Sequence, residues 1–597
     1  MDRKTNGKAT SGNQAEGLEF IQLNMQHSRA AAAGMTKNLS KMKKGICLLQ
    51  EPWCSNGAVR GLSGGQEPLY AKGKGNPRAC IWATRGINIW FWPHLSTRDL
   101  AVALVVVGTK DVVVASAYMP EGKKEKEPPP REVRTLVDFC EEHKLALVIG
   151  TDTNCHHQTW HSKKTDKRGE ELLEFILSSR LEIVNQGREP TFWTRRGNEI
   201  IDLTMASWDI AEEIQEWRTT EEQSLSDHRI IRFKMFQEIM EDQTMGRNVR
   251  HTNWTAFKKT LDKELGDRER KRDVESVVTN FNEAMQTSFE ESTREKKATR
   301  KRNVPGWTPE VKELFRKSKQ ALRRAWREGG AAWNLVNIAA RRFRRALKKA
   351  KGESWKTFCA EAESTTAANR VFKIIGGNRS RAPVAIKKED GTFCVTPEES
   401  LEQLMLAHFP VMEDQLERTT SFIRKEIPEG IITKEKVRAA ISSFGPYKAA
   451  GVDGIYPIML QKGGDAVIKE LVGIYKTCLR YGYVPEAWQR VRVVFIPKPG
   501  KSDTSDPKAV RPICLTSFVM KGLERILDWF IRDHCLRLRP LHLSQYAYRR
   551  GVGTETALHQ LVSRLEKTVI DDGQMALATF TDIQGAFSNV FVHRMIE

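Results

Sequence analysis

The fold is decided by the stretch LALVIGTDTN at residues 145–154, in which an apolar run ends abruptly in polar side chains. A short apolar run bounded by turn residues is typical of a buried β-strand. Asp152 and Asn154 then place a carboxylate and an amide where the strand leaves its sheet. The stretch therefore predicts an α/β domain whose polar chemistry lies at one edge of a sheet.

The same pattern continues on both sides of this strand, from about residue 18 to residue 236. Helical patterns interrupt it after Ser28, over 131–143 and over 168–179. Glycine, proline and charged turns separate the apolar runs, as expected of paired sheets, so we predict a strand-rich α/β domain. The runs are LEFIQLNM (18–25), ICLLQEPW (46–53), RACIWAT (78–84), INIWFWP (87–93), LAVALVVV (100–107), VVVASAYMP (112–120), EIIDLTMA (199–206) and HRIIRFKM (228–235).

Changes in composition divide the 597 residues into four predicted segments. Residues 1–17 form a polar, flexible tail without the apolar stretch of a secretory signal, and residues 18–238 form the α/β domain. A basic helical linker covers 239–390, and helices alternate with motif-bearing loops over 391–597. No apolar run approaches the roughly 18 residues that span a bilayer, so we expect an intracellular chain without a membrane partner.

The ten cysteines are scattered and never stand at Cys-x-x-Cys spacing. This argues against a disulfide framework and against a zinc knuckle. Three histidines after Asp152 offer zinc as an alternative, but no pair of cysteines at ligand spacing accompanies them. They are His156, His157 and His161. We expect reduced, mostly buried thiols.

The net charge of +21 is concentrated in the predicted linker. Residues 294–356 contain 21 Lys and Arg against 5 Asp and Glu, on helices whose apolar residues recur at helical spacing. Basic amphipathic helices can bind nucleic acid, a membrane surface or calmodulin, or can be merely solvated. A stripe this dense favours a polyphosphate backbone. Its centre is formed by Arg341, Arg342, Arg344 and Arg345.

Acidic and amide side chains stand at the carboxyl ends of successive predicted strands. Each alone is typical of a solvated strand end or a turn. In this order they indicate a site for a hard cation beside an acid/base pair. The residues are Asn24, Glu51, Asp152, Asn154, Asp202, Ser226, Asp227 and His228.

Hydrolysis of a phosphodiester explains these residue types. It needs a cation on the phosphate, a nucleophilic water and a stabilised leaving oxygen. Mg²⁺ prefers oxygen ligands, so Glu51 can hold it, while Asp152 can orient or deprotonate the water. His228 would hydrogen-bond the phosphate, and Asp202 would fix its tautomer. The phosphate or the water shell of the metal would be held by Asn24 and Asn154.

Together these residues resemble the endonuclease/exonuclease/phosphatase superfamily, in the apurinic endonuclease-like branch found in non-LTR retrotransposons. The resemblance spans roughly residues 18–236. Thr151 and Thr153 depart from it, because the family has glycine and an apolar residue there. The matching signatures are Gln22/Asn24, Gln50/Glu51/Pro52, Ser116/Tyr118/Pro120, Asp152/Asn154, Ile201/Asp202/Leu203 and Ser226/Asp227/His228.

The resemblance implies a four-layer α/β sandwich, in which two sheets are flanked by helices. It also implies that Tyr118 contacts the phosphate and that Asp227 supports the metal or the histidine. The metal ligands would then be Glu51, Asn24 and Asp227. Mg²⁺ is the implied cofactor, which Mn²⁺ could replace, and double-stranded DNA is the implied target.

A second group of motifs follows within residues 391–597. Lys498 and Arg511 fall on a predicted hairpin and are suited to gripping a triphosphate. Asp582 ends a later strand and supplies a metal-binding carboxylate, while Phe587 supplies a wall beside an incoming sugar. The motifs are KAAGVDGI (448–455), VRVVFIPKPGK (491–501), VRPICLTS (510–517) and ATFTDIQGAFSNV (578–590).

These motifs resemble the fingers and the first palm motifs of non-LTR reverse transcriptases. The resemblance implies that Lys498 and Arg511 contact the nucleotide, that Asp582 is the first catalytic aspartate and that Phe587 discriminates the sugar. The later Tyr-x-Asp-Asp motif and the thumb do not follow. We therefore expect a truncated α+β polymerase fragment, inactive in polymerisation, with RNA as the template partner.

Three functions compete on this evidence. The first is a magnesium-dependent endonuclease that nicks target DNA for target-primed reverse transcription, which implies a nuclear location if the DNA is genomic. The second is a non-catalytic nucleic-acid-binding remnant of a retrotransposon. The third is a phosphatase of lipid or inositol phosphates, since fold alone does not fix the substrate. The polymerase motifs favour the first.

Overall fold

The computed structural model divides the chain into two compact units. The first contains Met1–Asp242, Arg300–Leu404 and Ser502–Pro507, and the second contains the remaining residues. Asp582 and Phe587 lie outside the residues that the structure describes. These residues are 17–73, 75–107, 110–121, 128–194, 197–235, 247–267, 273–295, 306–328, 330–361, 371, 383–409, 426–498, 501, 503–549 and 551–581.

Fifteen strands lie in the first unit, as the apolar runs predict. Most of these runs contain β-branched residues, which pack well on a pleated surface. In chain order the strands are β1 (Leu18–Asn24), β2 (Gly45–Gln50), β3 (Cys54–Ser55), β4 (Ala58–Val59), β5 (Ala79–Ala83), β6 (Ile89–Phe91), β7 (Leu100–Val107), β8 (Lys110–Tyr118), β9 (Ala146–Asp152), β10 (Leu181–Ile183), β11 (Phe192–Thr194), β12 (Gly197–Glu199), β13 (Asp202–Ser207), β14 (Ile214–Thr219) and β15 (Ile231–Met235).

Two large sheets are built from these strands. The first sheet has the order β14-β15-β1-β2-β5, and the second has the order β10-β13-β9-β8-β7-β6. β1 and β2 are parallel, as are β8 and β9, so in each sheet the carboxyl ends of two neighbouring strands meet at one edge. β13 runs antiparallel to β9 and therefore begins at that same edge.

The helices of the chain lie on the outer faces of these sheets and in the second unit. Shorter 3₁₀ or π-helical turns connect some of them. In chain order the helices are α1 (Arg29–Leu39), α2 (Arg131–Glu142), α3 (Lys167–Ser178), α4 (Trp208–Ala211), α5 (Trp254–Asp267), α6 (Val274–Ser292), α7 (Pro309–Glu328), α8 (Ala332–Ala360), α9 (Pro397–His408), α10 (Lys434–Ser442), α11 (Pro457–Lys462), α12 (Gly464–Tyr481), α13 (Glu486–Gln489), α14 (Phe518–Phe530) and α15 (Thr554–Glu566).

Period-two alternation separates the layers of the first unit, because successive strand side chains face opposite sides of a sheet. Phe20, Leu48 and Val148 fill the core between the two sheets. Ile21 and its outward-facing neighbours pack with α1, whereas Ile149 belongs to the core formed with α2 and α3. The order helix, sheet, sheet, helix confirms the predicted four-layer sandwich.

Two further segments pack on this sandwich. A hairpin of α7 and α8 buries Val311, Phe315 and Phe343 against Ala30 and Ala33 of α1. Farther along the chain, residues 383–385 extend the second sheet at β6 through two backbone hydrogen bonds. These join Phe91 N to Pro383 O and Ala385 N to Phe91 O, each at 3.0 Å. Part of the predicted linker is therefore bound to the first unit.

The second unit has a mainly helical core. Phe257 and Phe281, from α5 and α6, pack with Tyr475, Trp488 and other apolar residues of α10 to α14. Two strands, β16 (Arg492–Pro497) and β17 (Val510–Leu515), form an antiparallel hairpin. The α/β sandwich followed by a largely helical region with one small sheet agrees with the predicted fold class.

The predicted linker is shared between the units. Residues 243–299 belong to the second unit and residues 300–404 to the first. The physical reason is that α5 and α6 on one side, and α7 and α8 on the other, bury apolar faces in different cores. The four-segment division of the chain stays a prediction. Among the described helices, none combines the length and apolar character needed to cross a membrane.

Candidate active site

The edge where β1, β2, β8 and β9 end gathers the predicted endonuclease residues. Asp152 ends β9 and pairs in register with Asp202, the first residue of β13. On its other side Asp152 pairs with Tyr118, the last residue of β8. Asn24 and Glu51 end or follow the neighbouring strands β1 and β2 of the other sheet. Strand register thus brings side chains distant in sequence to one edge.

A buried triad of Asp152, Asp202 and His228 forms the centre of this edge. His228 Nδ1 lies 2.8 Å from Asp202 Oδ2 and 3.0 Å from Asp202 Oδ1. His228 Nε2 lies 3.8 Å from Asp152 Oδ2. The exposed fractions of the three residues are 1%, 1% and 4%. One ligand atom from each lies within 4.8 Å of the others, so the triad combines an oriented imidazole with two carboxylates.

The triad shifts the protonation equilibria of its members. Burial raises the pKa of Asp152 to about 7; the adjacent carboxylate of Asp202 also raises it, while His228 opposes the shift. For His228 burial favours the neutral ring, but the two carboxylates outweigh burial and raise its pKa to about 9. At neutral pH this places a protonated imidazole beside a carboxylate that is readily able to take up a proton.

Two asparagines hold the Asp152 carboxylate in place. Asn24 Nδ2 donates to Asp152 Oδ2 at 2.7 Å, and Asn154 N donates to Asp152 Oδ1 at 3.2 Å. The side-chain amide of Asn154 donates instead to Met119 O at 3.0 Å. Asn154 has a φ of 47°, in the left-handed region that asparagine tolerates better than most residues. In this structure both asparagines orient Asp152.

Glu51 lies at the exposed rim of the same edge. Its carboxylate is 3.5 Å from His27 Nε2, and its side chain is partly exposed. Burial, followed by the carboxylates of Glu51 and Asp152, raises the pKa of Tyr118. The Tyr118 phenol therefore stays protonated and can donate a hydrogen bond. Arg78 stacks over its ring at 4.9 Å from the centroid.

Asp227 also lies at the rim and is exposed. Gln26 binds it at two points: Gln26 Nε2 donates to Asp227 Oδ2 at 3.3 Å, and Asp227 N donates to Gln26 Oε1 at 3.0 Å. Asp227 adds to the negative field that favours protonated His228. The sequence reasoning missed Gln26, whose position in a loop gave no periodic signal.

Buried glutamines join the two sheets directly beneath the triad. Gln50 Nε2 donates to Ser116 Oγ at 3.0 Å and to Gly150 O at 2.8 Å. Gln22 Nε2 donates to Thr151 O and to the carbonyl of Leu203, both at 3.1 Å. These glutamines entered the sequence analysis only through family signatures. The alternation of the strands could have indicated them, because polar residues replace apolar ones at inward positions near each strand end.

The two threonines that depart from the family pattern have different environments. Thr153 Oγ1 donates to Ile201 O at 2.8 Å and accepts from Cys155 N at 3.2 Å, so its hydroxyl shapes the loop after β9. The buried hydroxyl of Thr151 has no hydrogen-bond partner in the described part of the chain. Neither substitution displaces a member of the triad.

The donor atoms at this edge are suited to a hard divalent cation. Oxygen ligands are the chemistry that Mg²⁺ prefers, and they form most of this edge. Glu51 offers a partly exposed carboxylate and Asp227 an exposed one at the rim, and the buried triad lies behind them. Asn24 keeps a further lone pair on Oδ1, which accepts one hydrogen bond from Gln26 N at 2.8 Å. The donor set therefore fits the predicted metal.

The chain is similar in sequence to known proteins. Residues 112–232, which include Tyr118 and the whole triad, match the family described as endonuclease-reverse transcriptase. A protein of the type-1 retrotransposable element R1DM from Drosophila melanogaster is 25% identical over 96% of this chain. The Pol polyprotein of element R1 from Bradysia coprophila is 26% identical over 74% of this chain.

The chain is similar in sequence to proteins of retrotransposable elements. It spans about half the length of the curated relatives it matches, 57% of the first and 46% of the second. A further relative is the RNA-directed DNA polymerase from the mobile element jockey of Drosophila funebris. It is 24% identical over 84% of this chain, and the match covers 56% of that protein. These findings confirm the resemblance given by the sequence motifs.

Because the family match at residues 112–232 lies in the first unit, we call that unit the endonuclease unit from here on. Solved structures also match part of the chain. The endonuclease domain of TRAS1, a telomere-specific non-LTR retrotransposon, is 25% identical, with 37% of this chain and 99% of that chain covered and a TM-score of 0.31. The catalytic domain of Xenopus laevis APE2 is 14% identical, with 38% and 94% covered and a TM-score of 0.31.

The motifs that resemble reverse transcriptases lie in the second unit, where Lys498 and Arg511 are more exposed than the triad. Arg511 pairs with Ile496 in the β16–β17 hairpin, and its side chain is exposed. Lys498 follows β16, and its Nζ donates to Lys508 O at 2.7 Å. The predicted partners Asp582 and Phe587 lie outside the described residues, so the structure describes only half of this predicted site.

Another polar contact in the second unit was missed by the sequence reasoning. Ser517 Oγ donates to Asp453 Oδ2 at 2.6 Å, which fixes the GVDG loop against the start of α14. Asp453 is buried, and burial raises its pKa. A Cβ on Gly451 would lie 2.9 Å from the backbone of Thr516, so this loop needs glycine to pack here.

The basic stripe lies on α8. Its four central arginines are exposed, whereas Phe343 among them and Leu347 after them are buried. Thus the apolar side of α8 holds the helix in the endonuclease unit and the guanidinium groups face solvent. The arginines are Arg341, Arg342, Arg344 and Arg345.

Proposed function

We propose that this chain nicks double-stranded DNA by metal-assisted hydrolysis of a phosphodiester. The observation that carries the proposal is the buried triad, in which His228 is fixed between two carboxylates. Such an arrangement suits phosphoryl chemistry, where a nucleophilic water and a negatively charged phosphate meet in one site. The kinship with retrotransposon proteins favours DNA over a small phosphate ester as substrate.

In this proposal Asp152 receives the proton of the attacking water. A general base works best when its pKa is close to the operating pH, and the pKa of Asp152 is about 7. The hydrogen bonds from Asn24 and Asn154 fix the orientation of the Asp152 carboxylate. The attacking water would approach Asp152 from the rim, because the strands of the two sheets cover the opposite side of the carboxylate.

His228 and Tyr118 would hold the phosphate. Protonated His228 can donate from Nε2 to a phosphate oxygen while Asp202 binds Nδ1 and fixes the ring. Tyr118 remains a neutral donor because its pKa is raised. Both donors stabilise negative charge that grows as the bond to the leaving oxygen breaks.

Mg²⁺ would be held by Glu51 with Asp227 and Asn24, and Mn²⁺ could replace it. Bound there, the cation would neutralise charge on the phosphate and on the leaving oxygen. The solvent access of the rim carboxylates, partial for Glu51 and greater for Asp227, supports this assignment, because a cation must enter from solvent and must keep several of its own waters.

Nicking of supercoiled plasmid by the full chain tests the proposal. We expect relaxed circles in Mg²⁺ or Mn²⁺ and none in EDTA. The Asp202→Asn variant keeps the size of the side chain but cannot hold imidazolium in the same way, so it should lose most activity. Metal-independent nicking, or full activity in the variant, would contradict the assigned chemistry.

The nick would serve as a primer. We propose that its free 3′ hydroxyl is extended on an RNA template in target-primed reverse transcription, in the nucleus if the target is genomic. Two-metal phosphoryl transfer normally needs two or more aspartates, so Asp582 alone should not support this synthesis. Primer extension on an RNA template checks this, and any extended product would contradict it.

The second candidate is a non-catalytic nucleic-acid-binding remnant. The exposed basic stripe on α8 favours it, because binding through phosphate contacts needs no catalytic site. Tight DNA binding by the folded full chain without any nicking in Mg²⁺ or Mn²⁺ would support the remnant over the endonuclease.

A further inference from the structure

Five cationic side chains meet where α1 and α7 pack together, and the proposed chemistry uses none of them. We call them the α1–α7 cluster. Lys37 lies in the last turn of α1, Lys41 follows the helix, and the others lie on α7. About 270 residues separate the two parts in the sequence, so their proximity is a property of the fold alone. The α7 members are Lys312, Lys319 and Arg323.

Direct contacts fix α7 in this position. Its Val311 and Phe315 are buried against the alanines of α1. Its Ser318 accepts a hydrogen bond from Gln223 Nε2 at 2.5 Å, and both side chains are buried. Gln223 lies five residues before His228 in the loop that leads to the triad. The cluster is therefore attached to the same loop that carries the catalytic histidine.

The positive charges of the cluster act on one another. Lys37 Nζ lies 4.4 Å from the ring centroid of Trp307 and 4.6 Å from that of Phe315. Burial lowers the pKa of Lys37, and neighbouring Lys41, Lys319 and Lys312 lower it further. The rings attract a cation but do not neutralise it. Crowded ammonium groups of this kind are stabilised by an anion that binds among them.

Few acids balance this charge. Glu222 faces the cluster, but its carboxylate also pairs with Arg232 at 3.3 Å. Glu221 pairs with Arg323 at 3.2 Å. Among the described residues, none of the four lysines makes an ion pair with a carboxylate. The cluster therefore keeps an excess of positive charge next to solvent.

Helix α1 connects the rim of the active site to the cluster. It begins after Ser28, its N-cap, which follows the loop where Gln26 holds Asp227. Lys37 lies nine residues farther, about 14 Å along the helix at 1.5 Å per residue. The rim and the cluster therefore belong to one continuous segment of the fold.

We propose that the α1–α7 cluster binds backbone phosphates of the duplex that the active site nicks. The proposal rests on the proposed endonuclease function and deepens it, since it assigns a second contact region for the same DNA. Lysine contacts to phosphates position a duplex without reading its sequence. The helical hairpin would thus belong to the DNA-binding surface of the endonuclease unit.

The test measures DNA binding by the full chain in EDTA, where metal-dependent cleavage does not interfere. The double variant Lys41→Gln/Lys312→Gln removes two exposed members, so the fold should be kept. Each lost phosphate contact lowers the slope of log affinity against log salt by about 0.9. We expect a slope smaller by about 1.8 on duplexes of any sequence, and a raised KM for nicking with kcat unchanged.

Lys110→Gln/Lys144→Gln is the matched control. Lys110 begins β8 and Lys144 precedes β9, so both lie at the strand ends opposite to the triad. This variant should bind and nick as wild type does. Thermal unfolding of each variant verifies the fold.

An unchanged salt slope in the folded cluster variant, with nicking intact, would overturn this inference and leave the proposed function standing. A reduced slope on single-stranded RNA but not on duplex DNA would also overturn it, because the ligand would then be RNA. Absence of nicking by the wild type, with the expected loss of slope in the variant, would instead overturn only the endonuclease proposal.

Discussion

The triad of the endonuclease unit and the β16–β17 hairpin of the second unit both place polar groups beside strands, but they differ in burial. Asp152, Asp202 and His228 are almost completely buried and contact one another. Arg511 is exposed, and apolar neighbours such as Val494 and Ile496 are 39% and 49% exposed. The polar side chains of the triad are therefore held by their neighbours, whereas Arg511 on the hairpin faces solvent.

The difference teaches how far a charged group depends on its neighbours. In the low dielectric of the triad, each carboxylate changes the protonation of the others, so the residues act as a unit. Exposed cations are screened by salt and water and act almost independently. Substitutions in the triad should consequently have large, specific effects, while those on exposed basic surfaces should have small effects that add.

The largest effect is expected for Asp152→Asn. The amide keeps the shape of the side chain but cannot take up a proton, so nicking should fall about 10³-fold, within the range of a lost general base. The rate of plasmid nicking in Mg²⁺ measures this. Lys498→Ala in the second unit is the control and should leave nicking unchanged. Equal losses in both variants would remove the distinction between the two regions.

Charge removal on α8 should have the next largest effect. Replacing its four central arginines with glutamine should lower the salt slope of DNA binding by up to about 3.6, at 0.9 per phosphate contact. Single replacements should each contribute a part of this loss, since the groups are exposed and act independently. Titrations at several salt concentrations measure the slope. An unchanged slope in all variants would mean that the stripe is only a solvated face. The residues are Arg341, Arg342, Arg344 and Arg345.

Removal of a sheet-to-sheet contact tests how much the hydrogen bonds beneath the triad stabilise the fold. Gln50→Leu loses the bonds to Ser116 and Gly150 and leaves their buried oxygen atoms without this donor. The free energy of unfolding should fall by about 2 kcal/mol. Urea denaturation followed by tryptophan fluorescence measures it. Wild-type stability in this variant would show that the contacts contribute little to the sandwich.

A smaller effect is expected for Ser517→Ala in the second unit. The variant loses one hydrogen bond to the buried Asp453 carboxylate, which should cost about 1.5 kcal/mol. Because the loop belongs to the second unit, nicking should not change. Differential scanning calorimetry, together with the nicking assay, separates the two outcomes. A loss of nicking here would contradict the assignment of catalysis to the endonuclease unit alone.

The sequence predicted the strands and their polar ends well for a simple reason. Alternation with period two is a local property, and the apolar runs before Asn24, Glu51 and Asp152 do end at these residues. The prediction was wrong for Asp202 and His228, because Asp202 begins β13 and His228 precedes β15. They reach the same edge because their strands run antiparallel to neighbouring strands that end there, which the local pattern does not reveal. Their catalytic roles stay predictions, because position alone does not measure chemistry.

Other features of the endonuclease unit had no local signal. The amide of Asn24 was predicted to hold the phosphate or the metal's water shell, yet it donates to Asp152. Gln26 contacts Asp227 from a loop, and Arg78, which precedes β5 of the first sheet, stacks on Tyr118 of the second sheet. A single sequence does not specify such contacts, since they depend on which rotamers fit after the sheets have packed.

By itself the sequence determined the α/β class, the residue types at the strand ends and the position of the positive charge along the chain. These depend on periodicity and composition, which are written locally. Only the tertiary structure decided that α7 packs on α1, that Lys37 and Lys319 become neighbours and that the predicted linker is shared between two cores. Those outcomes depend on which apolar faces meet, and that choice is made by the packing of the whole chain.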